Sequence, residues 1–434
     1  MPSGGSALPP ARPAIALVSY ATPPVIGGVE RVLARHAVLM ADAGHQVRVI
    51  AGRGGALDPR VRFVEIPLVN SRHPTIERLQ RALDEGRVPA EFSEVATAIV
   101  AQLAPALAGI DIVIAHNVCS LNLNLALTAA LRELMDRPAP PRLILWHHDL
   151  AWASLLHRPT LHPGTPWDLL RTAWPGAVQV VVSEGRRAEL AALMGIRPET
   201  ITVVPNGVDL AKMWKLEPRT IELIARTDLL GAAPLLLMPA RITPRKNIEL
   251  ALRVVAAMRA SGRPAGLIVS GPADPHRPSG GAYLEQLLAL RHELALDESA
   301  WFLSEDLHGP PPDAMMDDLY RLADVLFMPS RDEGFGLPIL EAAINRLPIV
   351  CTPLPALRQL AGDAALYIGP DDDPVGISSR VLRLVDTDRM RRFARDFRSR
   401  YAWETVYRER IAPLIDPDRC PDDTSRSGTV DGAA

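Results

Sequence analysis

The sequence predicts an α/β protein of two doubly wound, Rossmann-like halves facing a central cleft, and three observations predict it. Short apolar runs alternate with amphipathic segments from about residue 14 to about residue 410, the pattern of parallel sheets covered on both faces. The alternation runs to about residue 204 and then begins again with PLLLMPA at 234–240. The chain has 434 residues, which at roughly 100 to 200 residues per domain is enough for two or three cores.

Residues 1–12 are rich in Pro, Gly and Ser, and 416–434 lack apolar periodicity, so both ends are expected to be disordered. The first domain, 13–205, opens with AIALVSY, a Gly27-Gly28 turn and a helix that places Val29, Val32, Leu33, Ala37 and Met40 on one stripe. Gly44 stops that helix before QVRVIAG, completing a βαβ unit, and DIVIAH, RLILWHH, VQVVVS and ITVVP supply further strands. Pro205-Asn206-Gly207 is a turn suited to a hinge. The second domain, 206–400, repeats the architecture through PLLLMPA, GLIVSG, WFLSE, DVLFMPS, PIVCT and AALYIG. A last segment, 401–415, is expected to be helical and to pack back on the first domain.

Composition excludes several classes. Apolar residues make up 48% and charged residues 22%, which rules out a wholly disordered, collagen-like or coiled-coil chain. The net charge of −3 offers no global attraction for nucleic acid, so any anion site must be local. Cys119, Cys351 and Cys420 are odd in number and far apart, against a disulfide framework and for a reducing compartment. Ile99–Ala115 is broken by Gln102, Pro105 and Asp111 and is too short to span a bilayer. Ala14–Tyr20 leads into a glycine turn rather than a cleavage site, so it reads as a strand, and a cytoplasmic location is expected.

The chemistry concentrates in two strand-loop-helix stretches. In DVLFMPSRDEGFGLPILEAAI, 324–344, a strand over Val325–Met328 is followed by Gly334, Gly336 and a helix starting near Leu337 with Pro338 in its first turn. Glycines there let backbone N–H groups approach a ligand, and a helix start favours phosphate. Glu333 and Glu341 flank this cradle, as carboxylates that accept from sugar hydroxyls. In LLLMPARITPRKNIELAL, 235–252, the loop carries Arg241, Arg245 and Lys246, the cations a departing diphosphate requires. Lysine stands at only three positions in the chain, Lys212, Lys215 and Lys246.

PNGVD, ARITPRKN, SGP and above all EGFGLPILE, in this order, resemble the retaining nucleotide-sugar glycosyltransferases of family 4, which have the two-domain GT-B fold. The resemblance spans about residues 14–410. It implies that the first domain lies on the acceptor side and that the second binds the donor, with Arg241 and Lys246 on the pyrophosphate, Glu341 on the ribose and Glu333 beside the transferred sugar. Backbone groups of Phe335, Gly336 and Leu337 complete the donor contacts, and Gly28 belongs to the family's N-terminal glycine loop. The family's active-site histidine matches His148 in Trp146-His147-His148-Asp149, with His147 as competitor. Transfer with retention and without a dedicated metal or other cofactor is implied, from UDP-glucose or GDP-mannose to a hydroxyl of a soluble sugar or small metabolite.

Weaker signals have plainer readings beside them. Four tryptophans (Trp146, Trp152, Trp167, Trp174) and four histidines (His147, His148, His157, His162) fall within 146–174. They read either as an acceptor wall, with Trp146, His147, Asp149 and Trp152 as acceptor contacts, or as a packed insertion. His157 and His162 lack zinc-ligand spacing, and Asp371-Asp372-Asp373 after Gly369-Pro370 reads as an acidic turn. Residues 380–410 carry ten arginines against five acids. The interspersion favours a solvated helix face over contact with anionic lipid. Two rival functions share these motifs: a nucleotide-sugar epimerase of the same fold, and a non-catalytic nucleotide-sugar sensor.

Overall fold

The computed structural model describes residues 12–272, 280–307 and 309–416. Of the ends expected to be disordered, 1–12 and 416–434, all but Arg12 and Asp416 lie outside the described residues, and Cys420 with them. The chain divides into two compact units, Val208–Thr405 and the remainder, so it crosses from one to the other after Gly207 and again after Thr405.

The first unit is built on a seven-stranded sheet: β1 (Ile15–Ser19), β2 (Val47–Ala51), β3 (Val61–Glu65), β4 (Ile112–His116), β5 (Arg142–His147), β6 (Val178–Val181) and β7 (Ile201–Val203). Their order is β3-β2-β1-β4-β5-β6-β7, all parallel. The second unit has six: β8 (Leu235–Met238), β9 (Gly266–Val269), β10 (Ala300–Phe302), β11 (Val325–Met328), β12 (Ile349–Cys351) and β13 (Ala365–Tyr367). These run β10-β9-β8-β11-β12-β13, again all parallel. Both sheets are therefore doubly wound, with the winding direction reversing between β1 and β4 in one and between β8 and β11 in the other. Ligands in such sheets bind beyond the carboxyl ends of the strands at that reversal.

The central strands are uninterrupted apolar runs because both faces are covered; β1, β4, β8 and β11 are buried along their whole lengths. The second sheet packs one core around Leu235, Leu237, Leu326 and Ile339 and another around Leu236, Val254, Leu267 and Phe327. Two sequence expectations need correction. The reading passed over β3, an edge strand whose V-R-F-V-E sequence is only half-buried. WFLSE is a strand only to Phe302, after which the chain turns through Leu303–Glu305. The 403–415 segment is helical, with a wide turn at Tyr407–Ile411, and Arg142 in β5 donates to the Leu414 carbonyl at 2.6 Å, which ties the chain's return to the first unit.

Candidate active site

In the second unit, β8 and β11 are neighbours, with Leu236 opposite Val325 and Leu237 opposite Leu326. The loops that leave their carboxyl ends therefore emerge side by side. Arg331 N–H donates to the Arg245 carbonyl at 2.8 Å, and the Arg245 guanidinium donates to the Asp332 carbonyl at 3.1 Å. Lys246, closing the tight turn Pro244–Lys246, donates from Nζ to Oε2 of Glu333, and both side chains are largely buried. Ser330 Oγ lies 3.5 Å from the same oxygen, and Thr352 Oγ1 holds the Ser330 carbonyl at 2.6 Å. Arg241 is exposed and makes no ion pair with a described residue.

Two glycines permit this layout. A Cβ on Gly271 would lie 2.1 Å from the Ala240 carbonyl oxygen. The Ser270-Gly271-Pro272 turn thus comes against the Arg241 loop, where Ile242 N–H reaches the Pro272 carbonyl at 3.0 Å. Gly336 precedes helix Leu337–Ile344 with φ of +101°, and a Cβ there would meet Leu357 Cδ2 at 2.5 Å. Ile339 N–H turns back to the Gly336 carbonyl at 2.9 Å, whereas the N–H groups of Phe335, Gly336 and Leu337 have no acceptor among the described residues. Phe335 and Leu337 are exposed, and Gly336 between them is buried. Glu341 lies past the first turn of this helix rather than in it, and accepts from the Tyr320 hydroxyl. Burial, then the Glu341 carboxylate, raises the Tyr320 pKa.

The sequence reading missed Asn247. Its backbone is left-handed, φ +55°, and its Nδ2 donates to the carbonyls of Pro329 at 3.3 Å and Pro370 at 2.9 Å. One amide thus ties the loops after β8, β11 and β13 together; the only available signal was its place directly after Lys246. The acidic triplet is spent locally: Asp371 pairs with Arg331 at 2.6 Å, Asp372 accepts from Gly369 N–H and Asp373 caps the next helix.

In the first unit the predicted residues lie in the segment after β1 and at the carboxyl end of β5 and just beyond it. Gly28 opens helix Gly28–Asp42, and the space where its Cβ would stand is empty to 4 Å. The two histidines of the doublet point in different directions, as successive residues of a strand do. His147 is buried with Nε2 2.8 Å from Gln179 Oε1 on β6. His148 sets its Nε2 3.1 Å from Nδ1 of His116, at the end of β4. Burial lowers the pKa of both to about 4, so both are neutral near pH 7. Burial also lowers His116, and takes His36, on the inner face of helix Gly28–Asp42, to about 3.

Asn117 was likewise missed. In left-handed backbone (φ +59°), it accepts on Oδ1 the N–H groups of His148 at 2.7 Å and Asp149 at 3.1 Å, fixing the turn that carries both. Asp149 is exposed and lies 3.4 Å from Arg186. Segment 146–174 is packed into its own unit. Trp146 is 1% exposed with its ring against His36 and His116, so as folded it offers an acceptor no surface. Trp167 and Trp174 are buried, and Trp152 is half-buried beneath Arg171, 4.1 Å from its ring centre. His157 and His162 bond within the unit, to Asn122 and to the Asp84 carbonyl.

Known protein families match both units. Residues 26–212 match the model of Glycosyltransferase Family 4, and residues 222–398 that of Glycosyl transferases group 1. A D-inositol 3-phosphate glycosyltransferase from Kineococcus radiotolerans is 30% identical over 48% of this chain and 48% of its own length. One from Thermomonospora curvata is 31% identical over 50% and 51%. The chain thus spans about half the length of the first curated relatives it matches. An MMP alpha-(1->4)-mannosyltransferase from Mycolicibacterium hassiacum is 27% identical over 92% of this chain and 97% of its own. Two family models cover the two units in order, each unit is a doubly wound parallel sheet, and the loops that carry Arg241, Lys246 and Glu333 leave the two strands at the second sheet's winding reversal; the chain belongs to the GT-B glycosyltransferases of family 4.

Proposed function

We propose that the chain transfers a hexose from a nucleoside-diphosphate sugar to a hydroxyl acceptor, with retention at the sugar and without a dedicated metal. The observation that carries this reading is the pairing of Lys246 with Glu333 where β8 and β11 end. It puts a cation and a carboxylate in contact two residues ahead of Phe335, Gly336 and Leu337, whose backbone N–H groups have no acceptor among the described residues. In the reading, Arg241, Lys246 and the start of helix Leu337–Ile344 meet the charge that builds on the departing diphosphate. The sugar passes through an oxocarbenium-like state beside Glu333, and the diphosphate itself takes the proton of the acceptor hydroxyl.

In the same reading Glu341, which accepts from the Tyr320 hydroxyl, also accepts from the ribose hydroxyls. His148, neutral near pH 7, is suited to hydrogen-bond a sugar hydroxyl. UDP-glucose and GDP-mannose are the leading donors. The names of the relatives, which act on an inositol phosphate or transfer mannose, favour a polar acceptor such as a sugar or phosphorylated polyol. The test is a panel of nucleotide sugars scored for tight binding and slow diphosphate release, with and without chelator. Release of UDP or GDP that persists in chelator and grows with a hydroxyl acceptor is expected; chelator-sensitive release contradicts the metal-free mechanism, and an epimerised free sugar contradicts transfer.

A further inference from the structure

We infer that His116 is a positioning residue that fixes the tautomer of His148, leaving a donor N–H at the outer nitrogen of the His148 ring. The inference rests on the reading above that His148 belongs to the site. His116 Nδ1 and His148 Nε2 are 3.1 Å apart, with ring centres 5.5 Å apart and planes inclined by only 24°. At that centre spacing the two rings lie end to end, as an in-plane N–H···N bond requires, rather than face to face.

The direction of the bond follows from what surrounds it. His116 is fully buried between His36 and Trp146, and its other nitrogen, Nε2, has no hydrogen-bond partner among the described residues. A proton on that nitrogen would be a buried donor with no acceptor, which is costly. Placed on Nδ1 instead, the proton is received by Nε2 of His148. Each neutral ring carries one proton, so that of His148 must sit on Nδ1. Nδ1 of His148 has no partner among the described residues and is not sealed in the interior. Asn117, next in sequence to His116, holds the His148 and Asp149 N–H groups, so ring and backbone of His148 are set by two consecutive residues at the end of β4. The chain therefore presents a hydrogen-bond donor toward whatever hydroxyl occupies the site.

The test is long-range 1H–15N correlation of the full chain labelled with 15N-histidine, near pH 7.5, with the His148 signals identified by their loss in H148Q. The wild type is expected to show His148 protonated on Nδ1. H116N, which keeps a donor N–H near the position of Nδ1, should preserve that state, and H116L should move His148 toward protonation on Nε2. A wild-type His148 protonated on Nε2, an H116N spectrum that loses the Nδ1 proton, or an unchanged tautomer in H116L overturns the inference. The first two measurements decide even where H116L does not fold. In donor turnover, H116L is expected to lower kcat about tenfold with a smaller change in KM, and H116N to restore most of it. A tautomer that follows residue 116 while kcat stays constant supports the coupling and overturns only the placing of His148 in the site.

Discussion

Nζ of Lys246 donates to Oε2 of Glu333 across 87 residues of sequence, at the point where β8 and β11 release their loops side by side. Each partner sits largely out of solvent, so neither is indifferent to losing the other. Removing one member of a buried pair leaves an uncompensated charge, which costs about 3–5 kcal/mol. K246M and E333Q should each lower stability by about that amount, and the double variant by clearly less than their sum, with a coupling of about 1–3 kcal/mol. Chemical denaturation of the three variants measures it. The same single variants should slow donor cleavage by about a hundredfold or more.

Gly336 and Gly334 lie two residues apart and make opposite predictions. Gly336 has φ of +101° with Leu357 against the site of its Cβ, while at Gly334 that space is open. G336A should cost about 1–3 kcal/mol and weaken nucleotide binding, since the strained backbone also aims the helix-start N–H groups. G334A should change the unfolding midpoint little.

Asn117 holds two N–H groups with one side-chain oxygen. N117A should lose about 1–3 kcal/mol, from those bonds and from a left-handed backbone that alanine dislikes. N117G relieves the backbone part and leaves the hydrogen-bond part, so comparing the two by thermal unfolding separates them.

The Tyr320 hydroxyl donates to Glu341, the residue proposed to hold the ribose. On that proposal Y320F should raise the KM for a nucleotide-sugar donor by about three- to tenfold and leave kcat nearly unchanged, as expected for loss of a bond that orients the proposed ribose ligand.

Four buried histidines, His36, His116, His147 and His148, have folded-state pKa values below the ordinary value of about 6.5, through desolvation first. As pH falls through that value the unfolded chain binds protons that the folded chain refuses, so stability is lost on acidification. The loss begins near pH 6.5 and continues toward pH 4, at up to about 1.4 kcal/mol per pH unit for each histidine. Thermal unfolding from pH 7.5 to 5 should show the fall, and H147Q should reduce its slope.

Much of this was legible in the sequence, and the reasons for the remainder are specific. The central strands and the EGFGLPILE turn were readable because a buried parallel strand is a plain apolar run and Gly-Pro punctuation marks a helix start. The edge strand β3 was not, because its exposed positions carry arginine and glutamate. Trp146 drew attention as an aromatic beside histidines, but its position in β5 between two covered faces puts its ring in the interior. The His147–Gln179 and His148–His116 contacts depend on which strands flank β5, and Asn117 and Asn247 act through left-handed turns that their residue type allows but does not announce.

The most direct test of the central claim is calorimetric titration of UDP and GDP into the wild type, R241A and K246A. One nucleoside diphosphate should bind the wild type, and each variant should bind it about ten- to a hundredfold more weakly, the loss expected for one charge-assisted contact to phosphate. Binding that is equally tight in all three proteins would contradict the assignment of the loop after β8 to the donor diphosphate.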